Sequence, residues 1–191
     1  AAVARSFNRA SVDGDTSTND TVLLLANGVS GARISTQEQE RVFQRVLDEL
    51  CLGLTQAMIR DGEGVTKLVN LVVRGALSDE DAICLADTMG HSPLVKTALF
   101  GEDANWGRIV AALGRAGVPI EPELMDIFFG EVPLIQAGQW CGAEAEERAT
   151  EVMRRPEFSI TVDLHMGQGA GFLITCDFSV DYVKINADYR S

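Results

Sequence analysis

Positive charge is scarce in this chain: 16 Lys and Arg stand against 28 Asp and Glu, a net charge of −12. Nucleic acid and anionic membrane surfaces both require a basic footprint, so neither is an expected partner. Histidine is scarcer still, with two residues. His165 has no second metal-type ligand near it in sequence, and a structural role is expected for it rather than catalysis or metal binding. The four cysteines, at 51, 84, 141 and 176, never pair as Cys-x-x-Cys and each sits in an apolar or mixed segment. That spacing fits neither a zinc site nor a disulfide framework, and buried reduced thiols are expected. No apolar run approaches the ~20 residues of a membrane helix. No basic-then-apolar leader opens the chain, and there is no internal repeat or low-complexity linker. The cytoplasm is the expected compartment.

What the chain does contain is a core. At 191 residues and 46% hydrophobic, it suffices for one generous domain or two small ones. The first ten residues, AAVARSFNRA, read as a helix entered in its middle, with no N-cap ahead of Ala1. Ser35 or Thr36 can cap a helix with Glu38 or Gln39 near its third position. Val42, Phe43, Val46, Leu47, Leu50, Leu54 and Met58 then recur at helical spacing to about Ile59. Gly62 and Gly64 break it and leave Glu63 at the mouth of a β-branched run, Val65 to Arg74, that reads as a strand. By its residues alone, Glu63 is a solvated turn glutamate.

Ser78 and Asp81 have capping-box spacing for a helix through Thr88, closed by Gly90. Ser92 to Phe100 is an apolar stretch around Pro93. Asn105 reads as the N-cap of a helix stopped by Gly117. Asp103, Asn105 and Arg108 either line a pocket or cap helix ends around a core Trp106, and the second reading is favoured. Residues 118 to 123 form a connector, Leu124 to Phe129 and Val132 to Gln136 a hairpin around Gly130, and Gly142 to Arg155 a charged helix with acids early and bases late. Glu157 to His165 alternates and Phe172 to Phe178 answers it, predicting an antiparallel hairpin. The GQGAG between them is then a turn, since no helix N-terminus follows to receive a phosphate. Tyr182 to Asn186 alternates as a last strand before a tail. The sum is an α+β fold of layered mixed sheets and helices. It forms one unit over 1–191, with a possible division into a sheet-and-helix core, 1–117, and a hairpin-rich region, 118–191.

The most polar stretch lies against the most apolar one. Asp13 to Asp20 carries three carboxylates and four hydroxyl or amide side chains, and Thr21 to Ala26 then turns hydrophobic, as a buried strand or short apolar helical turn. A calcium loop starting at Asp13 wants Gly and Glu where Thr18 and Leu24 stand. Asp13-Gly14-Asp15-Thr16 imitates the paired aspartates of a magnesium-dependent phosphotransferase, but ARSFNRAS is too polar to be the strand that delivers such an aspartate. A network of Asx and Ser/Thr turns is the simplest reading.

Four stretches also resemble a known family, in its order: SFNRASVDGDTSTNDTVLLLANG from Ser6 to Gly28, RDGEG from Arg60 to Gly64, SPLVKTALFGEDANWGR from Ser92 to Arg108, and DYVKINADYRS from Asp181 to Ser191. They are similar to the β chain of the arginine-biosynthesis ornithine acetyltransferases, the bifunctional glutamate N-acetyltransferase family.

The resemblance implies a self-cleaved, N-terminal-nucleophile-like acyltransferase architecture shared with an α chain from the same precursor. Two α and two β chains would assemble. It implies that a threonine opening the β chain attacks the acetyl group of N-acetylornithine, releases ornithine, and passes the acetyl group to glutamate to give N-acetylglutamate, with oxyanion donors on the α chain. It places Glu63 on a substrate amine and Asn186 and Ser191 against the substrate. Family members commonly end in Thr where this chain has Ser191, which loses a methyl and keeps the hydroxyl. No resident cofactor or metal is implied, and whether acetyl-coenzyme A is a second acetyl donor stays open. The sequence departs from the pattern at Ala1, where the family has Thr, so the nucleophile is expected upstream and this polypeptide alone is expected to be inactive. The competing readings are the phosphotransferase on Asp13 and Asp15 and a non-catalytic structural subunit.

Overall fold

A computed structural model describes residues 1–17 and 19–188. Two 3-10 turns, Val3–Arg5 and Phe7–Arg9, replace the helix expected at the start and lead into a two-residue strand, β1 (Ala10–Ser11). Then follow α1 (Gln37–Arg60), β2 (Leu68–Ala76), α2 (Asp79–Gly90), α3 (Pro93–Phe100), α4 (Trp106–Gly114), β3 (Asp126–Phe129), β4 (Val132–Gln136), β5 (Gln139–Trp140), α5 (Ala143–Met153), β6 (Glu157–Asp163), β7 (Gly169–Cys176) and α6 (Val180–Asp188). The strands make one mixed sheet in the order β1-β7-β2-β6-β3-β4-β5. The fold is α+β, and its sheet interleaves β2, from before residue 117, with strands from after it.

The main core lies between one face of this sheet and helices α2 to α5. Val69, Leu71 and Val73 alternate along β2 and meet Phe158, Ile160 and Val162 of β6 and Leu85, Ala86 and Met89 of α2, all nearly inaccessible. On the opposite face, near β1 and β7, Ile59 of α1 packs with Leu68, Ile174 and Cys176.

Capping chemistry sets most helix starts. The side chains of Thr36, Ser78 and Asn105 accept from the backbone N–H of Gln39, Asp81 and Arg108 as expected. Ser92 accepts from Val95 N, with Pro93 at the first turn, and thereby converts the anticipated apolar stretch into α3. α4 ends at Gly114, three residues before the expected stop.

Three expectations of secondary structure and strand pairing also fail. β6 and β7 are not a hairpin, because β2 lies between them, parallel to β6 and antiparallel to β7. The glycines that read as a turn let the chain pass close over α2: a Cβ at Gly171 would sit 2.6 Å from Ile83 N and one at Gly169 2.2 Å from Ser78 O. Tyr182 to Asn186 is helical, within α6, because Ser179 Oγ accepts from Tyr182 N at 3.0 Å and caps the first turn. Thr21 to Ala26 is neither strand nor helix, and Leu23, Leu24 and Leu25 are 75%, 71% and 88% exposed. A strand requires a partner for its backbone groups, and no segment of the sheet pairs with this one. Cys51 and Cys176 are buried free thiols, as expected, whereas Cys84 and Cys141 are only half-buried.

Candidate functional site

The site assembles where the turn after α1 meets the C-terminal helix. Gly62 and Gly64 hold the turn open, and Gly64 has φ +67°, a conformation that suits glycine. A Cβ there would lie 2.4 Å from Tyr182 N and 2.8 Å from Ser179 Oγ. Glycine thus lets the start of α6 close onto the turn, and that approach brings together two residues 123 apart in sequence. Asn186 Nδ2 donates to Glu63 Oε2 at 3.1 Å and to its own helix at Tyr182 O, 3.0 Å. Both side chains are exposed, with polar atoms open to a ligand. Ser191, the third expected site residue, lies outside the described residues.

Tyr182, one turn before Asn186, links this corner to the polar loop. Its hydroxyl donates to Asp13 Oδ2 at 2.8 Å. Burial, with the Asp13 carboxylate as acceptor and as negative charge, pushes its pKa from 10 to about 12, because both disfavour the phenolate. Asp13 Oδ1 also accepts from Asp15 N at 2.9 Å, the Asx turn expected of this loop. Contrary to expectation a short strand, β1, does precede Asp13, but one carboxylate oxygen holds Tyr182 and the other the turn. Among the described residues no group of three or more His, Cys, Asp or Glu could hold a metal ion.

Beneath α6 lies a second layer of contacts. Phe178 stacks on Tyr182, with ring centroids 4.8 Å apart and planes 11° from parallel. The Lys96 ammonium sits 4.7 Å from the Phe178 ring centroid. Asp177, 1% exposed, accepts from Thr66 N at 2.9 Å, Thr66 Oγ1 at 2.6 Å and Lys67 N at 2.9 Å, fastening the approach to α6 onto the segment after Glu63.

The other candidates are structural. Asn105 Oδ1 caps α4, and Arg108 Nη1 donates to Leu94 O at 2.9 Å and Thr97 Oγ1 at 3.2 Å, tying α4 to α3. The adjoining cavity, of about 10 Å³, is the size of a water, not of a substrate. Trp106 is partly exposed rather than a core residue. His165 Nε2 pairs with Asp126 Oδ2 at 2.8 Å, joining the end of β6 to β3. This bond to Asp126 raises the pKa of the imidazole.

Sequence reasoning missed Lys96, Asp177, Phe178 and Tyr182. One signal was available for Lys96, a lysine inside the apolar run of residues 93–100. Phe178 and Tyr182 gave none, because Phe178 precedes α6 and the two rings meet only in the fold.

The geometry defines an α+β protein in which one mixed sheet carries an acid-and-amide corner at the end of a glycine turn. The chain belongs to the ArgJ family, whose model matches residues 1–191. It is 49% identical over 188 residues to the arginine biosynthesis bifunctional protein ArgJ of Geobacter sulfurreducens, covering 97% of this chain and 48% of that protein. It is 50% identical over 193 residues to the ArgJ of Desulfotalea psychrophila, covering 100% of this chain and 49% of that one. A crystal structure of the Bacillus halodurans arginine biosynthesis bifunctional protein ArgJ superposes with a TM-score of 0.91 at 40% identity, covering 98% of this chain and 89% of the other. The chain spans about half the length of the curated relatives it matches. No helix among the described residues is long and apolar enough to cross a membrane.

Proposed function

We propose that this chain forms the amino-acid-holding half of an acetyltransferase that moves an acetyl group from N-acetylornithine to glutamate, releasing ornithine and N-acetylglutamate. The observation that carries the reading is the 3.1 Å contact between Glu63 and Asn186. The resemblance singles out these two residues at distant points in the sequence, and the fold makes them neighbours.

In this reading a threonine outside residues 1–191 supplies the hydroxyl. Its oxygen adds to the acetyl carbonyl, the ornithine nitrogen leaves with the hydroxyl proton, and the glutamate amine then attacks the acyl-threonine and expels the threonine oxygen, which takes up the amine proton and restores the hydroxyl. Residues of this chain hold the substrate while that happens. Without ligand, Glu63 shares its charge with the Asn186 amide. A substrate ammonium displaces that amide and makes a stronger, charge-assisted bond. The freed Asn186 amide can then both donate and accept toward the rest of the amino acid. Ser191 joins them in this proposal through its hydroxyl.

The α chain is the proposed partner, and α1 offers a surface for it. One stripe of α1, Cys51, Thr55 and Ile59, is buried, while a second, Val46, Leu50, Leu54 and Met58, is about half exposed, and Leu23, Leu24 and Leu25 are exposed as well. Relatives about twice as long as this chain have the length to cover it.

Glu63→Gln in the full-length protein tests the function. A lost charge-assisted bond costs about 1.5–3 kcal/mol, a ten- to hundredfold fall in kcat/KM for N-acetylornithine. Thermal stability should not change, because Glu63 is exposed. Unchanged kinetics would remove Glu63 from the site and favour a non-catalytic role for the chain. The same assay with acetyl-coenzyme A and glutamate reads whether a second donor is used.

A further inference from the structure

Lys96 is among the largest fully buried side chains of the described residues, at 1% exposure, and the acetyl-transfer reading gives it no part. Burying an ammonium is costly unless its hydrogen bonds are met. Here Nζ donates to Thr175 Oγ1 at 2.9 Å and to Cys176 O, and lies 3.7 Å from Cys176 Sγ. Burial lowers its pKa, and the negative fields of Cys176, Asp177 and Asp13 oppose that shift. A methionine would fill the same volume at no desolvation cost, so stability of the core alone does not explain a lysine.

What the ammonium touches is the hinge between β7 and α6. It caps the end of β7 at Thr175 and Cys176 and faces the Phe178 ring. The Lys96 carbonyl accepts from Phe178 N at 3.1 Å, so the same residue holds this segment by main chain as well. Phe178 carries Tyr182 by stacking, and Tyr182 O accepts from Asn186, whose amide reaches Glu63. On the other side, the Asp177 carboxylate anchors the hinge to Thr66 and Lys67.

We infer that Lys96 is a positioning residue for the amino-acid site: its ammonium fixes residues 175–178, and through Phe178 and Tyr182 it sets Asn186 against Glu63. The kinetic consequence rests on the acetyl-transfer reading; the structural one does not.

Two variants of the full-length protein test it: Lys96→Met, of similar volume without charge, and Phe178→Leu, which leaves Lys96 in place and removes the ring between it and Tyr182. Both should raise KM for N-acetylornithine about tenfold or more, the scale on which small misplacements act, with kcat much less affected. Both should also speed amide hydrogen exchange in residues 180–188 while β2, residues 68–76, stays protected. A fall in kcat at unchanged KM, as from fewer folded molecules, would overturn the inference. So would unaltered exchange in 180–188, or acceleration in β2 to the same extent. If the parent protein transfers no acetyl group, the acetyl-transfer reading fails, and the exchange comparison alone then decides the role of Lys96.

Discussion

Single residues carry the chemistry of this chain through charge placement. Among the described residues Glu63 accepts from the neutral Asn186 amide, which in the proposed function gives way to a substrate ammonium. Tyr182 is its counterpart, a phenol kept protonated by burial and by Asp13. Its pKa of about 12 in the folded chain exceeds the unfolded value near 10. The folded state therefore binds the proton more tightly, and the associated stability is fully present below pH 10 and lost as pH rises toward 12. In an ultraviolet titration Asp13→Asn should move the higher tyrosine step down toward, but not onto, the ordinary value, because burial remains. Tyr182→Phe should abolish that step. A step unmoved by Asp13→Asn would mean that the 2.8 Å bond to Asp13 does not form in solution.

Elements differ in how much of them the sequence exposes. α1, α2 and α4 were legible because a polar cap and a periodic apolar run coincide at Thr36, Ser78 and Asn105, and both are local properties. α6 was misread because five residues, Tyr182 to Asn186, are too few to separate a period of two from one of 3.6. The decisive feature was Ser179, a cap outside that window. The pairing of β6 with β7 was misread because alternation fixes a strand's faces and not its neighbour. What separates them is β2, brought from over 80 residues away by a parallel pairing. At the candidate site, Glu63 and Asn186 are singled out only through whole motifs, since each alone is an ordinary polar surface residue. Lys96 was hidden because its partners, 79 and 80 positions away, are joined to it only by the fold.

The expectation for Thr21 to Ala26 failed for a different reason, since its hydrophobicity finds no partner among the described residues. In the proposed assembly that segment and the outer stripe of α1 are apolar surfaces offered to the α chain. Leu50→Glu with Leu54→Glu should leave α1 helical, since Cys51, Thr55 and Ile59 stay buried, and should weaken assembly with the proposed α chain in size-exclusion chromatography. An assembly of unchanged size and stability would show that the α chain seats elsewhere.

At the scale of the whole molecule, one sheet brings a turn from the first half of the chain and a helix from its end into a single corner. The chain's net charge of −12 suits no polyanionic partner. The central claim is that this corner holds N-acetylornithine while its acetyl group passes to a threonine. The most direct measurement is the intact mass of every polypeptide of the full-length protein, before and after brief exposure to N-acetylornithine, for the parent protein and for Glu63→Gln. One acetyl group should appear on a threonine-initiated chain of the parent, appear much more slowly in Glu63→Gln, and leave on addition of glutamate. No acetyl group on any chain, or equal uptake by both proteins, would contradict the claim.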